Sequence, residues 1–408
     1  MTRPLSLLAL TALAVIACND STAPNAANLG RRIVAGERVG CGLDRDGTVY
    51  CWGENSNFYD YGTSIATTIG GNTPSKAYVP KLVHLSRGLG THFCGLKANS
   101  DAVCWGRNNF GELGGGVPTT ATGDTAMVVA GGHHWTDIAV GRLTTCGITV
   151  DHDAYCWGFN QRGEIGDSAV GVGDTARTPH LLPGFKFSQI AVGWLHACGI
   201  TTTGDAYCWG DNVNGELGIG ATDTVRHRSP AKVTGGLTFV QLSLGSLYTC
   251  GLTTVGDAYC WGANYTGQLG DGTQTDRAVP TRVAGGIQFQ QIVTSSGFRD
   301  GAYVGAPTNA QGGASHTCAL GKDSHAYCWG WGGNGELGDG TTADRSSPVA
   351  VIDGRTFQSL VVGGAYSCGM LDNGIWCWGS NYYGQIGTGS GLAILLRPQP
   401  VGAPFDKP

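Results

Sequence analysis

Cysteine and histidine are the residues of this chain whose types and spacing could support chemistry. The 408 residues include 15 cysteines and 10 histidines. Seven of the cysteines begin the tripeptide Cys-Trp-Gly, at positions 51, 104, 156, 208, 260, 328 and 377. A second cysteine precedes each of them, by ten residues in six copies and by nine in the last. This pairing is compatible with two kinds of chemistry, zinc coordination and disulfide formation.

The zinc interpretation is the weaker of the two. Cys-x-x-Cys, a common ligand spacing of structural zinc sites, does not occur in the sequence. Three copies place a histidine two residues before a cysteine: His92, His196 and His316. Other copies carry a different residue at the same place: Thr144, Tyr248 and Tyr366. A position that accepts threonine and tyrosine is not expected to hold a metal, so we predict neither a metal site nor a cofactor.

Disulfide formation fits better, because each cysteine pair brackets a turn. Between Cys41 and Cys51 the midpoint is Asp46, and Gly47 falls at the left-handed position of a three-residue hairpin loop. The paired cysteines then face each other at a non-hydrogen-bonded position, within disulfide range. Setting aside Cys18 leaves an even number of cysteines, as expected of an exported protein. The predicted pairs are Cys41 with Cys51, Cys94 with Cys104, Cys146 with Cys156, Cys198 with Cys208, Cys250 with Cys260, Cys318 with Cys328, and Cys368 with Cys377.

The elements that must position these cysteines repeat with a period of about 52 residues. In the fourth copy, residues 187–193 begin with alternating apolar and polar residues and stop at glycine, which predicts a strand. Residues 197–201 and 205–210 predict two more strands, and residues 229–233 predict a short edge strand that starts near a proline. Four short antiparallel strands per repeat, without an intervening helical pattern, are typical of a β-propeller blade. We therefore predict an all-β fold.

A specific resemblance supports this architecture. Gly193-Trp-Leu-His196, followed by Trp209-Gly-Asp-Asn-Val-Asn-Gly-Glu-Leu-Gly218 and a Pro-x-x-Val strand, resembles the regulator of chromosome condensation repeat. The similarity covers roughly residues 31–402, and the family implies a seven-bladed propeller. The first copy departs most, because no Gly-Gln-Leu-Gly follows Trp52-Gly-Glu-Asn55. The cysteine pairs also lie outside the usual pattern of the family's intracellular members.

The chain ends suggest how the ring could close. Residues 32–36 form a predicted strand with no preceding Pro-x-x-Val strand, and residues 398–402 form a predicted strand with no following partner. Pairing these two strands would complete one blade from both termini and remove open sheet edges. We therefore expect closure by pairing of the N- and C-terminal strands.

The N-terminus predicts export. Residues 1–17 have a basic Arg3 and an apolar run up to Ile16, as in a signal peptide, and the run is too short for a normal spanning helix. Val15-Ile-Ala-Cys18 resembles the bacterial lipobox, which implies lipidation of Cys18; ordinary cleavage nearby is the alternative. The predicted organisation is a signal peptide over 1–17, a flexible tether over 18–30 and a propeller over 31–405. The protein is then expected to be exported and lipid-anchored to the bacterial membrane, on the periplasmic side or at the cell surface.

Composition and motifs limit the functional classes. The net charge is −5 with no run of Lys and Arg, so no footprint for nucleic acid or an anionic membrane is present. No nucleophile elbow, His-Glu-x-x-His or paired-carboxylate motif occurs, so an enzyme is not expected. A composite site on the propeller face, acting on a polysaccharide, remains the alternative. Guanine nucleotide exchange, which the family resemblance implies for some members, is disfavoured by the export signal and the disulfides.

Binding has better candidates, in two groups. The two residues after each repeat glycine should lie in a loop at one rim, and they vary; Arg38, Arg142 and an exposed Trp194 beside Arg142 would suit an interface. An insertion over 295–312 adds Phe298, Arg299 and Tyr303. The alternative is that all of these are ordinary turn residues. The expected partner is another protein or an envelope component.

Overall fold

The computed structural model describes residues 32–54, 71–88, 90, 92–117, 126–297, 315–372 and 374–405. Within these residues the chain forms seven four-stranded antiparallel sheets, one of which gains a fifth, parallel strand. The described part contains no helix long and apolar enough to cross a membrane. The predicted signal peptide, Cys18 and the tether lie outside the described residues. The all-β fold predicted from the repeats and the seven-bladed propeller that the family resemblance implies are both confirmed.

Each blade is built mainly from one continuous stretch of chain. Blade 1 comprises β1 Ile33–Ala35, β2 Val39–Leu43, β3 Val49–Gly53 and β4 Gly71–Lys76. Blade 2 comprises β5 His84–Leu85, β7 His92–Leu96, β8 Ala102–Gly106 and β9 Met127–Val128, whereas β6 Arg87–Gly88 lies between β5 and β7 in sequence but pairs in parallel with the first strand of blade 3. Blades 3 and 4 comprise β10 Trp135–Val140, β11 Thr144–Thr149, β12 Ala154–Phe159 and β13 Thr175–Leu181, then β14 Phe187–Val192, β15 His196–Thr201, β16 Ala206–Gly210 and β17 His227–Lys232. Blades 5 and 6 comprise β18 Phe239–Leu244, β19 Tyr248–Thr253, β20 Ala258–Gly262 and β21 Arg277–Arg282, then β22 Phe289–Thr294, β23 His316–Gly321, β24 Ala326–Gly330 and β25 Arg345–Ala350. Blade 7 comprises β26 Ser359–Val362, β27 Tyr366–Leu371, β28 Gly374–Ser380 and β29 Ile394–Pro400.

Strand order defines the two faces of the disc. Residues of the first strands line a central channel with a volume of about 420 Å³, and the fourth strands form the outer edge. Because consecutive strands are antiparallel, the connections from strand one to two and from strand three to four emerge on the same face, here called the loop face. The hairpins between strands two and three emerge on the opposite face, here called the hairpin face.

The cysteines staple the hairpins, as predicted. All seven expected pairs are disulfides, with Cα atoms 4.0–4.1 Å apart. In each pair the two cysteines are direct cross-strand partners, as Cys198 and Cys208 show. Gly47 is left-handed as predicted, with φ of 79°, and Gly204 and Gly256 at the equivalent hairpin position have φ of 88° and 95°. Closing so short a loop stabilises the fold by about 2–3 kcal/mol per disulfide in the chain-entropy model.

Tryptophan joins neighbouring blades. Six of the seven Trp-Gly tryptophans donate Nε1–H to a main-chain carbonyl of the Gly-Glu-Leu-Gly loop in the preceding blade, at 2.8–2.9 Å. Trp209, for example, bonds the carbonyl of Glu164. The loop before Trp105 falls within residues 55–70, outside the described part. The disulfides hold each hairpin together, whereas the tryptophans hold each blade to the next.

Glutamine side chains also join neighbouring blades, next to the channel. The side-chain amide of Gln189 both donates to and accepts from the main chain of Leu242 in the next blade, at 3.1 and 2.7 Å. Gln241 bonds Ile292 and Gln291 bonds Leu360 in the same two-bond manner. The inner strands of blades 4 to 7 are therefore bridged by side-chain amides, although they share no sheet.

The expected closure of the ring is wrong. The N-terminal strand, Ile33–Ala35, pairs with β2, and the C-terminal strand, Ile394–Pro400, pairs with β28. The first is the innermost strand of blade 1 and the second is the outermost strand of blade 7, so the two lie at different radii and cannot pair. Gly71–Lys76 supplies the fourth strand of blade 1 that the sequence reading left unassigned. Blades 7 and 1 instead meet through the same tryptophan contact that joins five other neighbouring pairs, here Trp52 Nε1–H to the carbonyl of Gln385 at 2.8 Å.

Candidate binding face

Two loops of the same blade are joined on the loop face in six of the seven blades. In these six the residue that follows Trp-Gly donates its main-chain N–H to the carbonyl in the connection between strands one and two, and in blade 2 the corresponding residue 91 lies outside the described residues. Phe159 donates to Leu143 and Asp211 donates to Leu195, each at 2.9 Å, and Glu54 donates to Arg38 at 3.1 Å. The varied residues of the two loops are thereby held side by side. This arrangement places one pair of variable positions in each blade at the same rim.

The residue after Trp-Gly was missed by the sequence reasoning. Its chemical class changes from each blade to the next while the preceding Trp-Gly stays constant. In chain order the position holds Glu54, Arg107, Phe159, Asp211, Ala263, Trp331 and Ser380. That variation, set within a constant framework, is the signal that could have identified it.

Arg38 lies on the loop face, as the sequence predicts, and its side chain contacts two other residues. Its Nη1 donates to Glu54 Oε2 at 2.8 Å. Its guanidinium also stacks over the ring of Tyr383 from blade 7, at 4.4 Å from the ring centroid. Arg38 therefore bridges the junction of the first and last blades, with 18% of its side chain exposed.

Arg142 and Trp194 come together as expected. The Arg142 guanidinium lies 4.5 Å from the Trp194 ring centroid, within the range of a cation–π contact. Trp194 is half-buried rather than exposed, because the arginine of blade 3 covers part of it. Its Nε1–H is buried and has no hydrogen-bond acceptor in the described protein.

The insertion is described only at its base. Phe298, Arg299 and Tyr303 lie outside the described residues. Ser295 is buried, donates its N–H to the Tyr248 hydroxyl at 3.2 Å and accepts the His316 N–H on its Oγ at 2.8 Å. The first residues of the insertion are therefore anchored between blades 5 and 6.

Buried carboxyl groups support the loop-face turns. Glu164, Glu216 and Glu336 each accept, on Oε2, the main-chain N–H two residues earlier at 2.7 Å. Gln268 and Gln385 make the same bond at 2.9 Å in blades 5 and 7. Burial raises the pKa of Glu164 and of Glu336 to about 8 and that of Glu216 to about 7. Near neutral pH these glutamates therefore carry much less charge than a solvated carboxylate.

The histidines that stand before cysteines link blades. His92, His196 and His316 place Nε2 at 2.6–2.8 Å from a hydroxyl of the next blade. Each hydroxyl donates its single hydrogen to a loop carbonyl, as Thr249 does to Glu216 at 2.9 Å. The hydroxyl must therefore accept from the imidazole, so Nε2 carries the proton. Burial lowers the pKa of all three histidines to about 3. In the described residues no group of three or more His, Cys, Asp or Glu is placed to hold a metal ion.

Comparison with known proteins identifies the repeat. The regulator of chromosome condensation (RCC1) repeat matches residues 31–58, 135–164, 187–216 and 239–268 in one form, and 203–252, 255–320 and 323–370 in another. Together these matches cover more than half of the chain.

The chain belongs to the RCC1 repeat family.

Its relatives within this family have varied roles. The chain is 28% identical to the ultraviolet-B receptor UVR8 of Arabidopsis thaliana over 335 residues, 72% of this chain and 76% of that protein. It is 26% identical to the human E3 ubiquitin-protein ligase HERC2 over 82% of this chain but only 7% of HERC2. The crystal structure of Prp20p from Saccharomyces cerevisiae superposes with a TM-score of 0.71 at 20% identity, covering 89% of this chain and 87% of that one. That structural likeness shows the shared fold.

The buried glutamates and histidines of this RCC1-repeat propeller predict a stability maximum at mildly acidic pH. Glu164, Glu216 and Glu336 have a raised pKa in the folded state, so the stability that they contribute at low pH is lost as pH rises from about 4.5 towards 8. The buried histidines have a lowered pKa, so stability is lost as pH falls from about 6.5 towards 3. Between about pH 4.5 and 6.5 the two effects cancel, which predicts a plateau with a decline on either side. Thermal unfolding midpoints across this range measure it.

The glutamines of blades 5 and 7 suggest a variant that tests whether ionisation of a buried glutamate lowers stability at high pH. Glu216→Gln replaces the carboxylate oxygen with an amide oxygen, which can accept the main-chain N–H as those of Gln268 and Gln385 do. We expect it to raise stability at pH 8 by on the order of 1 kcal/mol and to leave stability at pH 4 nearly unchanged. An equal change at both pH values would show that ionisation of Glu216 is not the cause.

Proposed function

We propose that this protein is a non-catalytic, exported propeller, lipid-anchored through Cys18, which binds another protein or a cell-envelope component through its loop face. One observation carries the binding role: a constant scaffold of disulfides and tryptophans displays side chains that differ in every blade at one rim. Arginine and aromatic residues, which are enriched at the centres of protein interfaces, occupy several of those positions. A scaffold constant in seven copies with variable side chains on one face suits recognition better than a single reaction.

The relatives support binding without naming the partner. Prp20p was characterised for its binding to Gsp1p and histones, and another crystal structure shows it bound to Kap60. All three are protein partners of a propeller with the same fold. Fold alone does not transfer a partner, so the support is for the type of activity.

The cysteines support export and anchoring. Seven buried disulfides suit an oxidising compartment. Cys18 stands outside the paired set and follows Val15-Ile-Ala17. Replacing Cys18 with alanine is expected to move the protein from the membrane fraction to the soluble exported fraction, measured by fractionation and immunoblotting. Membrane retention of the Cys18→Ala protein would contradict the anchor, and cytosolic protein with free thiols would contradict export.

Trp194→Ala tests the binding face. Crosslinking in the native host, followed by mass spectrometry, should recover a partner that is lost or reduced about tenfold with this variant. The matched control is Trp376→Ala near the hairpin face, where Arg355 lies over Trp376 at 3.7 Å from the ring centroid. Both variants remove a half-buried tryptophan that is covered by an arginine, so only their faces differ. If the two variants retained the same partners as the wild type, the loop face would not be the binding surface.

A further inference from the structure

We infer that the loop face of blades 2 to 4 docks an acidic segment of the partner protein, one whose carboxylates lie beside an aromatic side chain. This inference rests on the proposed function, because it specifies the chemistry of the partner that the loop face would bind. It is carried by a row of arginine and aromatic side chains, by unsatisfied donors along that row, and by the charge of the surrounding loops.

The row crosses three blades. Arg107 of blade 2 lies 5.7 Å from the ring centroid of Phe110, and Phe110 stacks on Phe159 of blade 3 at 4.4 Å with an interplanar angle of 20°. Phe159 is tied by its N–H to Leu143, which follows Arg142, and Arg142 covers Trp194 of blade 4. Arg107, Phe110, Phe159, Arg142 and Trp194 together are called the cation–aromatic strip. It presents both cations and rings, so it can bind both an anion and an aromatic group.

Within the part of the chain that the structure describes, three buried donors in or beside the strip have no acceptor. They are Trp194 Nε1, Arg162 Nε and Arg177 Nη1. Arg162 lies in the same loop as Phe159, and the Arg177 main chain packs against Gly111, next to Phe110. A buried donor without a partner costs about 1–3 kcal/mol. All three groups donate, so the ligand that would satisfy them must supply acceptor oxygens.

The charge at the strip favours an anionic ligand, although the whole chain has a net charge of −5. Arg107, Arg142, Arg162 and Arg177 are the cations. The carboxyl groups that face them are weakened: burial raises the pKa of Glu112, which lies 3.7 Å from Arg107, and burial raises the pKa of Glu164 to about 8. Burial also raises the pKa of Asp211, which lies near Arg162. Near neutral pH these three carboxyl groups therefore offset less of the arginine charge than solvated carboxylates would.

The extent of the strip distinguishes an acidic peptide segment from a nucleic acid. A nucleic acid needs a positive groove that follows its phosphates over many nucleotides. Beyond blade 4 the arginines at the loop face are already paired with carboxylates, Arg277 with Asp271 in blade 5 and Arg345 with Asp339 in blade 6. A long polyanion leaving the strip would meet arginines whose charge is already balanced, whereas a short acidic segment fits within three blades. Arginine also pairs with carboxylate through two parallel hydrogen bonds, which suits side chains of Asp and Glu.

The experiment measures binding of defined probes to the purified full-length protein in detergent. The main probe is a short fluorescent peptide in which Glu and Asp flank Trp; the others are the same peptide with Gln and Asn, a single-stranded DNA oligonucleotide and heparin. We expect binding of the acidic peptide alone, weakened by salt. Arg142→Ala and Trp194→Ala should each reduce affinity about tenfold. Arg355→Ala and Trp376→Ala, the matched pair near the hairpin face, should not. Arg142→Lys keeps the charge but loses the planar contact with the Trp194 ring. Thermal unfolding checks that each variant folds.

The outcomes separate this inference from the proposed function. Equal binding of the amide peptide, or tighter binding of the oligonucleotide or heparin, would overturn the acidic segment as ligand. Equal losses with the hairpin-face variants would overturn the location. If no probe bound while Trp194→Ala still abolished partner crosslinking in the host, the inference would fail and the binding face would stand. If crosslinking were also unaffected, both would fail.

Discussion

Trp209→Ala is expected to destabilise the protein by about 4 kcal/mol, the largest effect that we predict for a single side chain. Trp209 is fully buried where blade 4 meets blade 3, and its Nε1–H bonds the Glu164 carbonyl at 2.8 Å. Alanine would leave a cavity in the seam between blades and an unpaired carbonyl beneath the loop face. Because a closed ring depends on every seam, we expect the loss to lower the unfolding midpoint of the whole propeller rather than of one blade. Thermal and denaturant unfolding followed by tryptophan fluorescence and circular dichroism measure it.

Two further variants give this prediction its controls. Trp209→Phe keeps an aromatic ring in the seam but loses the N–H, and should cost about 1–2 kcal/mol. Trp194→Ala removes the same type of side chain from the loop face, where Trp194 is only half-buried. Because folding buries less of its apolar surface, this variant should cost less than half as much as Trp209→Ala. A similar loss for Trp194→Ala and Trp209→Ala would mean that the seam has no special role.

The periodic parts of the structure could be predicted from the sequence because they repeat seven times under the same physical constraints. A hairpin with cysteines ten residues apart has one geometry that brings them face to face, and Trp beside Cys must occupy the opposite sheet surface. The position of Trp194 beside Arg142 followed from their equivalent places in adjacent blades. Each of these conclusions depends only on local spacing.

The features that could not be predicted depend on contacts between distant parts of the chain. Closure through the terminal strands failed because sequence does not reveal that β1 is innermost and β29 outermost. The half-burial of Trp194 depends on where Arg142 from another blade comes to rest. The raised pKa of Glu164, Glu216 and Glu336 depends on burial beneath a loop. The sequence Gly-Glu-Leu-Gly by itself resembles an exposed turn. The role of the residue after Trp-Gly appears only once two loops separated by about fifteen residues are seen to be tied by a hydrogen bond.

The glycine of Trp-Gly explains why the pair recurs, and it yields the second large prediction. All seven of these glycines have φ between 101° and 114°, in the left-handed half of conformational space. In blade 4 the pairing with the fourth strand shifts register between Cys208 and Gly210, so Gly210 lies at a β-bulge. An added Cβ would lie 2.5 Å from the Leu195 carbonyl oxygen and 2.7 Å from the His196 Cα. Both of these are main-chain atoms, which cannot rotate away.

Gly210→Ala is therefore expected to cost about 3 kcal/mol or more, from backbone strain and from the clash. The same displacement would push Leu195 away and weaken its bond from Asp211 N–H, so we expect partner binding through the loop face to fall even where the protein remains folded. Gly391→Ala is the matched control, because Gly391 is not left-handed and nothing lies within 4 Å of an added Cβ there. Gly235→Ala separates the two contributions, since Gly235 has φ of 92° but open space around it. If Gly210→Ala cost no more than Gly235→Ala, strain alone would account for the glycine, and the close approach of the two loops would not be what requires it.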